Sequence, residues 1–212
     1  MAGFIVSILT ALGWATAYVL IIRRGFLEKT YGMPMVALAG NIVWEFLFGF
    51  FIREPGTEPN YVWVIINAVW FGMDVIIFWQ ILKFGMNEKW PSKRFFYSGI
   101  AIAVVFALGA ELAITYQLSD WEGQYASFID NLMMSVLFIN VLYNRGVRGQ
   151  SIYIAISKMI GTLAISVAYL VRYPSAPLQW YLSISIFFFD LLYTCLLYAR
   201  LREEKINPLT RL

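Results

Sequence analysis

The chain has 212 residues, 60% of them hydrophobic and only 14% charged, with a formal net charge of +3. That balance is far from a soluble globular domain and indicates an integral membrane protein. Its small positive excess is accounted for by loops facing an anionic leaflet and calls for no nucleic acid. With no histidine and a single cysteine, Cys195, no intramolecular disulfide can form, and zinc and thiol chemistry lose their usual ligands. No GxxxxGK[ST], GxGxxG or Ser-His-Asp set is present either, so chemistry falls to carboxylates, amides, hydroxyls and aromatic rings, with no metal and no cofactor expected.

Seven apolar runs have about the length needed to cross a hydrocarbon core as helices: 4–22, 33–52, 61–82, 95–116, 125–143, 152–171 and 178–198. Short connections leave no room for a soluble domain, so an all-α bundle of seven transmembrane helices is expected to form one transmembrane domain over 1–212. The first run has no basic leader and no small-residue cleavage motif, and it passes straight into Arg23 and Arg24; it reads as a retained helix. Cations separate by side. Arg23, Arg24 and Lys29 follow the first run, Lys83, Lys89, Lys93 and Arg94 the third, Arg145 and Arg148 the fifth, and Arg200, Arg202, Lys205 and Arg211 the seventh. The opposite side has Arg53 and Arg172. The positive-inside rule then places the N-terminus outside or in the lumen and the C-terminus in the cytoplasm. In a eukaryote the membrane would be that of the endoplasmic reticulum, in a bacterium the plasma membrane.

Charged groups within a membrane are costly and face a bundle interior or cavity. In chain order they are Glu45, Asp74, Glu111, Asp130, Lys158 and Asp190, accompanied by the amides of Asn41, Asn67, Asn131 and Asn140. A single Asn is most simply a helix-helix hydrogen bond. Five acids against one base cannot all be ion-paired, so some must be neutral or share a proton, and a neutral carboxylic acid is a proton donor. Asn41 lies one turn before Glu45 and can orient its carboxyl. Trp70, Asp74 and Phe78 alternate ring, acid and ring on one helical face, and Phe187, Asp190, Tyr193 and Thr194 share another.

The chain carries 8 Trp, 13 Tyr and 17 Phe. Trp63, Trp90, Trp121, Trp180 and Tyr181 fall near predicted helix ends and read as an interfacial belt. Trp14, Trp44, Trp70 and Trp79 fall deeper, where an indole N–H needs a partner. Each alone is ordinary packing; together with the acids they suggest a cavity that holds a cation against ring faces and away from water.

The stretch RRGFLEKTYGMPMVALAGNIVWEF, 23–46, resembles the small integral-membrane terpene cyclases of fungal meroterpenoid and indole-diterpene biosynthesis, which have bacterial relatives. VWFGMDVIIF in the third run, NLMMSVLF in the fifth, and the single acid of the seventh followed by a basic tail with NPLTR extend the resemblance over most of the chain. It implies two essential acids, Glu45 of the helix 2 motif and Asp190 of the last helix, expected to face each other. Asn41, Trp44, Asp74, Asn131 and Tyr193 are expected to orient them or to line a substrate cavity. Asp130 stands where the family pattern has an uncharged amide, which makes it a further candidate acid, base or substrate contact; Lys158 has no place in that pattern. The implied reaction is cyclisation of a prenyl chain attached to an aromatic, indole or similar head group, begun by protonation of a terminal epoxide or alkene. The implied partners are that apolar substrate and the lipid bilayer, and the oligomeric state is not indicated.

Two other classes share features with this chain. A proton-coupled transporter also carries midplane carboxylates, but no internal match relates 1–90 to 120–212. A retinal-binding rhodopsin would carry its Schiff-base lysine on the last helix, whereas Lys158 falls on the sixth run.

Overall fold

The computed structural model describes residues 2–88 and 90–212; Lys89, one of the cations counted above, lies outside them. Seven α-helices are present among the described residues: α1 Ala2–Glu28, α2 Met35–Phe50, α3 Tyr61–Phe84, α4 Lys93–Leu118, α5 Gln124–Arg145, α6 Ile152–Arg172 and α7 Pro177–Glu203. Local chemistry fixes their starts. The side chains of Asn60, Ser92 and Ser151 accept from the backbone N–H of Trp63, Phe95 and Tyr153 at the first turns of α3, α4 and α6, as helix caps do. Pro177 opens α7, where its missing N–H costs nothing. Asp120 caps α5 by accepting from the N–H groups of Gln124 at 2.8 Å and Ala126 at 3.0 Å. Burial nevertheless pushes its carboxyl above the usual aspartate range, against the pull of those hydrogen bonds.

Six of these helices are long and apolar enough to cross a membrane; α2 is the exception. The run expected at 33–52 yields a 16-residue helix, about 24 Å long against a core of about 30 Å. Pro34 sets its start as N-cap, and the N–H groups of Phe51 and Ile52 both turn back to the Leu47 carbonyl to end it. The other helices mostly outrun their apolar stretches. α1 continues through Arg23 and Arg24 to Glu28, because Glu28 pairs with Arg24 one turn earlier, at 3.2 Å. Around the bundle, large apolar side chains face outward, with Phe106 75% exposed, a surface suited to lipid rather than water.

α1 packs along α6, α2 lies among α3, α4 and α5, and α7 rests on α5 and α6. At the cation-rich end the connections are tied together. Arg211 of the tail pairs with Glu28 at 2.7 Å and donates to the Val147 and Gln150 carbonyls. Arg145 pairs with Glu88 at 2.7 Å. The α1–α6 contact is the tightest in backbone terms. A Cβ added to Gly13 would lie 2.7 Å from the Gly161 Cα and 2.9 Å from the Ser157 carbonyl oxygen, so the two helices meet through bare glycines, as close transmembrane pairs do.

Gly13→Ala should therefore destabilise the protein by about 1–3 kcal/mol, since backbone rather than a flexible side chain must move. Gly72→Ala, on α3 with nothing within 4 Å of its added methyl, should be neutral. Thermal unfolding followed by tryptophan fluorescence in detergent measures both, and equal midpoints for the two variants would contradict the close α1–α6 contact.

Candidate active site

On α2, Asn41 and Glu45 lie one turn apart on the same face. Tyr18 of α1 donates its hydroxyl to Glu45 Oε1 at 2.7 Å. The Asn41 amide donates to the Tyr18 hydroxyl, to Glu45 Oε1 at 3.1 Å and to Asp74 Oδ2 of α3 at 2.7 Å. Glu45 is 2% exposed and Asp74 fully buried. Glu45 Oε2 and Asp74 Oδ1 accept no hydrogen bond, and the two carboxyls adjoin closely enough to interact with each other. Two carboxyls held against each other in a dry interior cannot both be ionised; they retain a proton between them.

The second polar cluster is centred on α6. Lys158 donates to Asp190 Oδ1 of α7 at 2.7 Å, to Asn131 Oδ1 of α5 at 2.7 Å and to Ser135 Oγ at 2.8 Å, and its ammonium lies 5.7 Å from the centre of the Trp14 ring. Asn131 in turn donates to the Thr162 hydroxyl at 3.0 Å. Asp190 is thus half of a buried ion pair and shares no hydrogen bond with Glu45. The two acids expected to face each other therefore have different direct partners: α7 lies against α5 and α6, and Lys158, which the family pattern did not place, takes up Asp190.

A cavity of ≈ 690 Å³, open mouth included, lies between the clusters. Asn41, Trp44 and Glu45 line it from α2, Trp14 and Tyr18 from α1, Trp63 and Trp70 from α3, Phe128 and Asn131 from α5, and Ile165 and Tyr169 from α6. Half of the fourteen residues around it are aromatic, which allows a positive charge inside to rest against ring faces. Glu122, half exposed and bridged to Arg172 by two 3.1 Å hydrogen bonds, marks the mouth. Trp44 is fixed in the wall because its Nε1 donates to the Gly123 carbonyl at 2.9 Å. Gly123 has φ +66°, and any Cβ there would meet the Trp44 Nε1 at 2.6 Å, so glycine is required on both counts.

Of the candidates named from sequence, Glu45, Asn41, Trp44 and Asn131 line this cavity, and Asp74 stands directly behind the first two. Asp190 does not line it and reaches its wall through Lys158 and Asn131. Tyr193 lies elsewhere: its hydroxyl donates to Gln150 in the connection between α5 and α6, and its ring packs on Phe138. Asp130 points away from the cavity into a groove between α4 and α5, beside Glu111. Trp63, expected at the interface, is in the cavity wall, edge-on to Trp70; Trp79, expected deep, is 43% exposed to the outside beside Phe26. Sequence reading missed Tyr18, whose mark was its place one turn after Trp14, and missed Ser135 and Thr162, ordinary hydroxyls with no distinguishing pattern. Among the described residues no three His, Cys, Asp or Glu side chains converge as a metal site.

Residues 2–200 match the family of Pyr4-like transmembrane terpene cyclases. The Pyr4-family terpene cyclase mfmH of Annulohypoxylon moriforme is 30% identical over 177 residues, covering 80% of this chain and 71% of that protein. Asnovolin H synthase nvfL of Aspergillus novofumigatus is 25% identical over 216 residues, covering 94% and 86%. Terpene cyclase macJ of Penicillium terrestre is 28% identical over 167 residues, covering 75% and 63%. No solved structure matches the chain. With a match that runs from the first helix almost to the end of the last, the chain belongs to the Pyr4-like transmembrane terpene cyclases, multi-pass membrane enzymes of the cyclase type.

Proposed function

We propose that this enzyme cyclises a linear prenyl chain attached to an aromatic, indole or similar head group, starting the reaction by proton transfer from Glu45. The observation that carries this reading is the Glu45–Asp74 carboxyl pair, tied by Asn41 and set in the wall of an aromatic cavity. The substrate enters from lipid with its terminal epoxide or alkene toward Glu45. For an epoxide, the Glu45 proton passes to the ring oxygen as a C–O bond breaks, and the positive charge left on carbon is attacked in turn by the alkenes of the chain. Each attack closes a C–C bond and moves the charge along, with the surrounding rings stabilising it by about 2 kcal/mol where fully desolvated. The last cation loses a proton, which restores the Glu45–Asp74 pair, so substrate and product are isomers and no metal or cofactor takes part. Exclusion of water keeps the cation from early capture.

In this reading Glu45 is the catalytic acid. Asp190 is a positioning residue: it neutralises Lys158, which holds Asn131 in the cavity wall. Residues 1–212 form one transmembrane unit, with the cation-rich end in the cytoplasm and the cavity mouth outside or in the lumen. The proton-coupled transporter class keeps the same buried acids, but the aromatic lining and the family membership favour cyclisation.

Glu45→Gln, nearly isosteric, should lower kcat by about 10²–10⁴, the usual contribution of a general acid, with the protein still folded and still binding substrate. Isomeric products from a panel of prenylated phenols and indoles, with and without a terminal epoxide, are followed by mass spectrometry and NMR. Full activity of this variant would remove Glu45 from the mechanism.

Asp190→Asn should destabilise the fold by about 3–5 kcal/mol, because it leaves the Lys158 ammonium buried and unpaired. The double variant Lys158→Met/Asp190→Leu should regain stability, since exchanging a buried pair for apolar residues is often neutral. A positioning role predicts that the double variant also regains turnover with altered product ratios. A stable but inactive double variant would instead make Asp190 a direct proton acceptor.

A further inference from the structure

The groove that contains Asp130 is separate from the cavity and is not used by the proposed reaction. It lies where α4 passes α2 and α5, has ≈ 690 Å³ of empty space with its open side included, and has almost wholly apolar walls. Phe106, Ala110 and Ile129 on its rim are exposed to the outside of the bundle, so it opens sideways toward lipid. Its polar content is two carboxyls. Glu111 of α4 is 4% exposed and Asp130 of α5 is 5% exposed. Glu111 Oε2 and Asp130 Oδ1 have no hydrogen-bond partner, and among the described residues neither acid is ion-paired. Gly40 of α2 closes the back of the groove, for any Cβ there would collide with the Asp130 carboxyl. The two acids are near enough to interact but do not bond each other, and Lys158, the buried cation within reach of Asp130, is already held by Asp190, Asn131 and Ser135.

Left to themselves, two unpaired carboxyls in an apolar slot are neutral or share a proton; a ligand from the bilayer that draws one of them into its charged form has a definite complement. It needs one positive charge, at least two hydrogens to donate and an apolar body to fill the walls. An alcohol brings one hydrogen and no charge; a quaternary ammonium brings charge and no hydrogen. We infer that the groove between α4 and α5 is a binding site for a lipophilic primary amine, whose ammonium bridges Glu111 and Asp130 while its chain lies along Phe106, Ala110 and Ile129. Charge-assisted hydrogen bonds of this kind are about twice as strong as neutral ones. The site stands independently of the cyclisation proposed above and is tested without turnover.

The full chain in phosphatidylcholine nanodiscs is exposed to a photoreactive dodecylamine, and the labelled peptides are mapped by mass spectrometry. Labelling should concentrate on residues 103–114 of α4 and 126–133 of α5. Unlabelled dodecylamine should compete with it, while dodecanol and dodecyltrimethylammonium should not. In Glu111→Gln/Asp130→Asn the labelling should fall about tenfold, the loss expected when about 1.4 kcal/mol of binding is removed. Ala110→Phe, which fills the groove and leaves both acids in place, should lose it too, and thermal unfolding shows whether each variant is folded. Labelling spread evenly over all seven helices, or unchanged in the folded double variant, would overturn the site. Competition by the alcohol or the quaternary amine equal to that of the primary amine would overturn the ligand class.

Discussion

The amide of Asn41 is the contact on which the buried carboxyl cluster at the cavity wall depends. It has two hydrogens and reaches three acceptors, the Tyr18 hydroxyl, Glu45 and Asp74, so it joins α1, α2 and α3 at one point. It also sets two carboxyls side by side, an arrangement that would separate by repulsion if both were charged. Because the amide donates to both, each carboxyl keeps its orientation whichever of them carries the shared proton. The short length of α2 serves the same end. At about 24 Å it does not need to span the core, and Glu45, five residues before its final Phe50, lies well within the bundle yet toward the end where the cavity opens.

Asn131 is the counterpart on the opposite wall. Its oxygen accepts from Lys158 and its nitrogen donates to Thr162, so a second amide ties a second charged cluster to the same cavity. The Gly13–Gly161 contact couples the two walls. It presses α1 against α6, so that Trp14 lies under the Lys158 ammonium while Tyr18, one turn on, reaches Glu45. Steric closeness at two glycines thereby sets the distance between acid and ion pair, and the rings filling that distance are those that would line a migrating positive charge.

Much of this was legible in the residues. Seven apolar runs gave seven helices, since a period of hydrophobic burial and the length of a bilayer are local properties. The Asn41–Glu45 relation follows from the helical repeat alone. The partners across helices were less accessible. Asp190 and Lys158 are 32 positions apart, and nothing local distinguishes a lysine that pairs with one acid from a lysine that pairs with another. Asp130 and Asn131 are adjacent yet serve different spaces, because successive helical positions are rotated by about 100°, and one faces the cavity while its neighbour faces α4. Tyr193 shares the face of Asp190 by spacing, but the direction of its ring carries the hydroxyl to Gln150. Trp63 lies near the start of α3, as read, but its place in the cavity wall was not legible: position along a helix gives depth, not whether the ring turns inward or out.

Five acids against one base within the apolar runs posed the main electrostatic question of the sequence, and the fold answers it in three ways. Asp190 takes the base. Glu45 and Asp74 take each other and hold a proton. Glu111 and Asp130 take neither, and stand against an apolar groove with no donor supplied by the chain. The first arrangement ties α7 to α6 and to Asn131 of α5, the second sets two carboxyls over one proton, and the third leaves two carboxyls against apolar walls, where a proton or the amine inferred above would neutralise them. The same functional group thus acquires three chemistries from placement alone, set by whether its nearest neighbour is a cation, another acid or lipid.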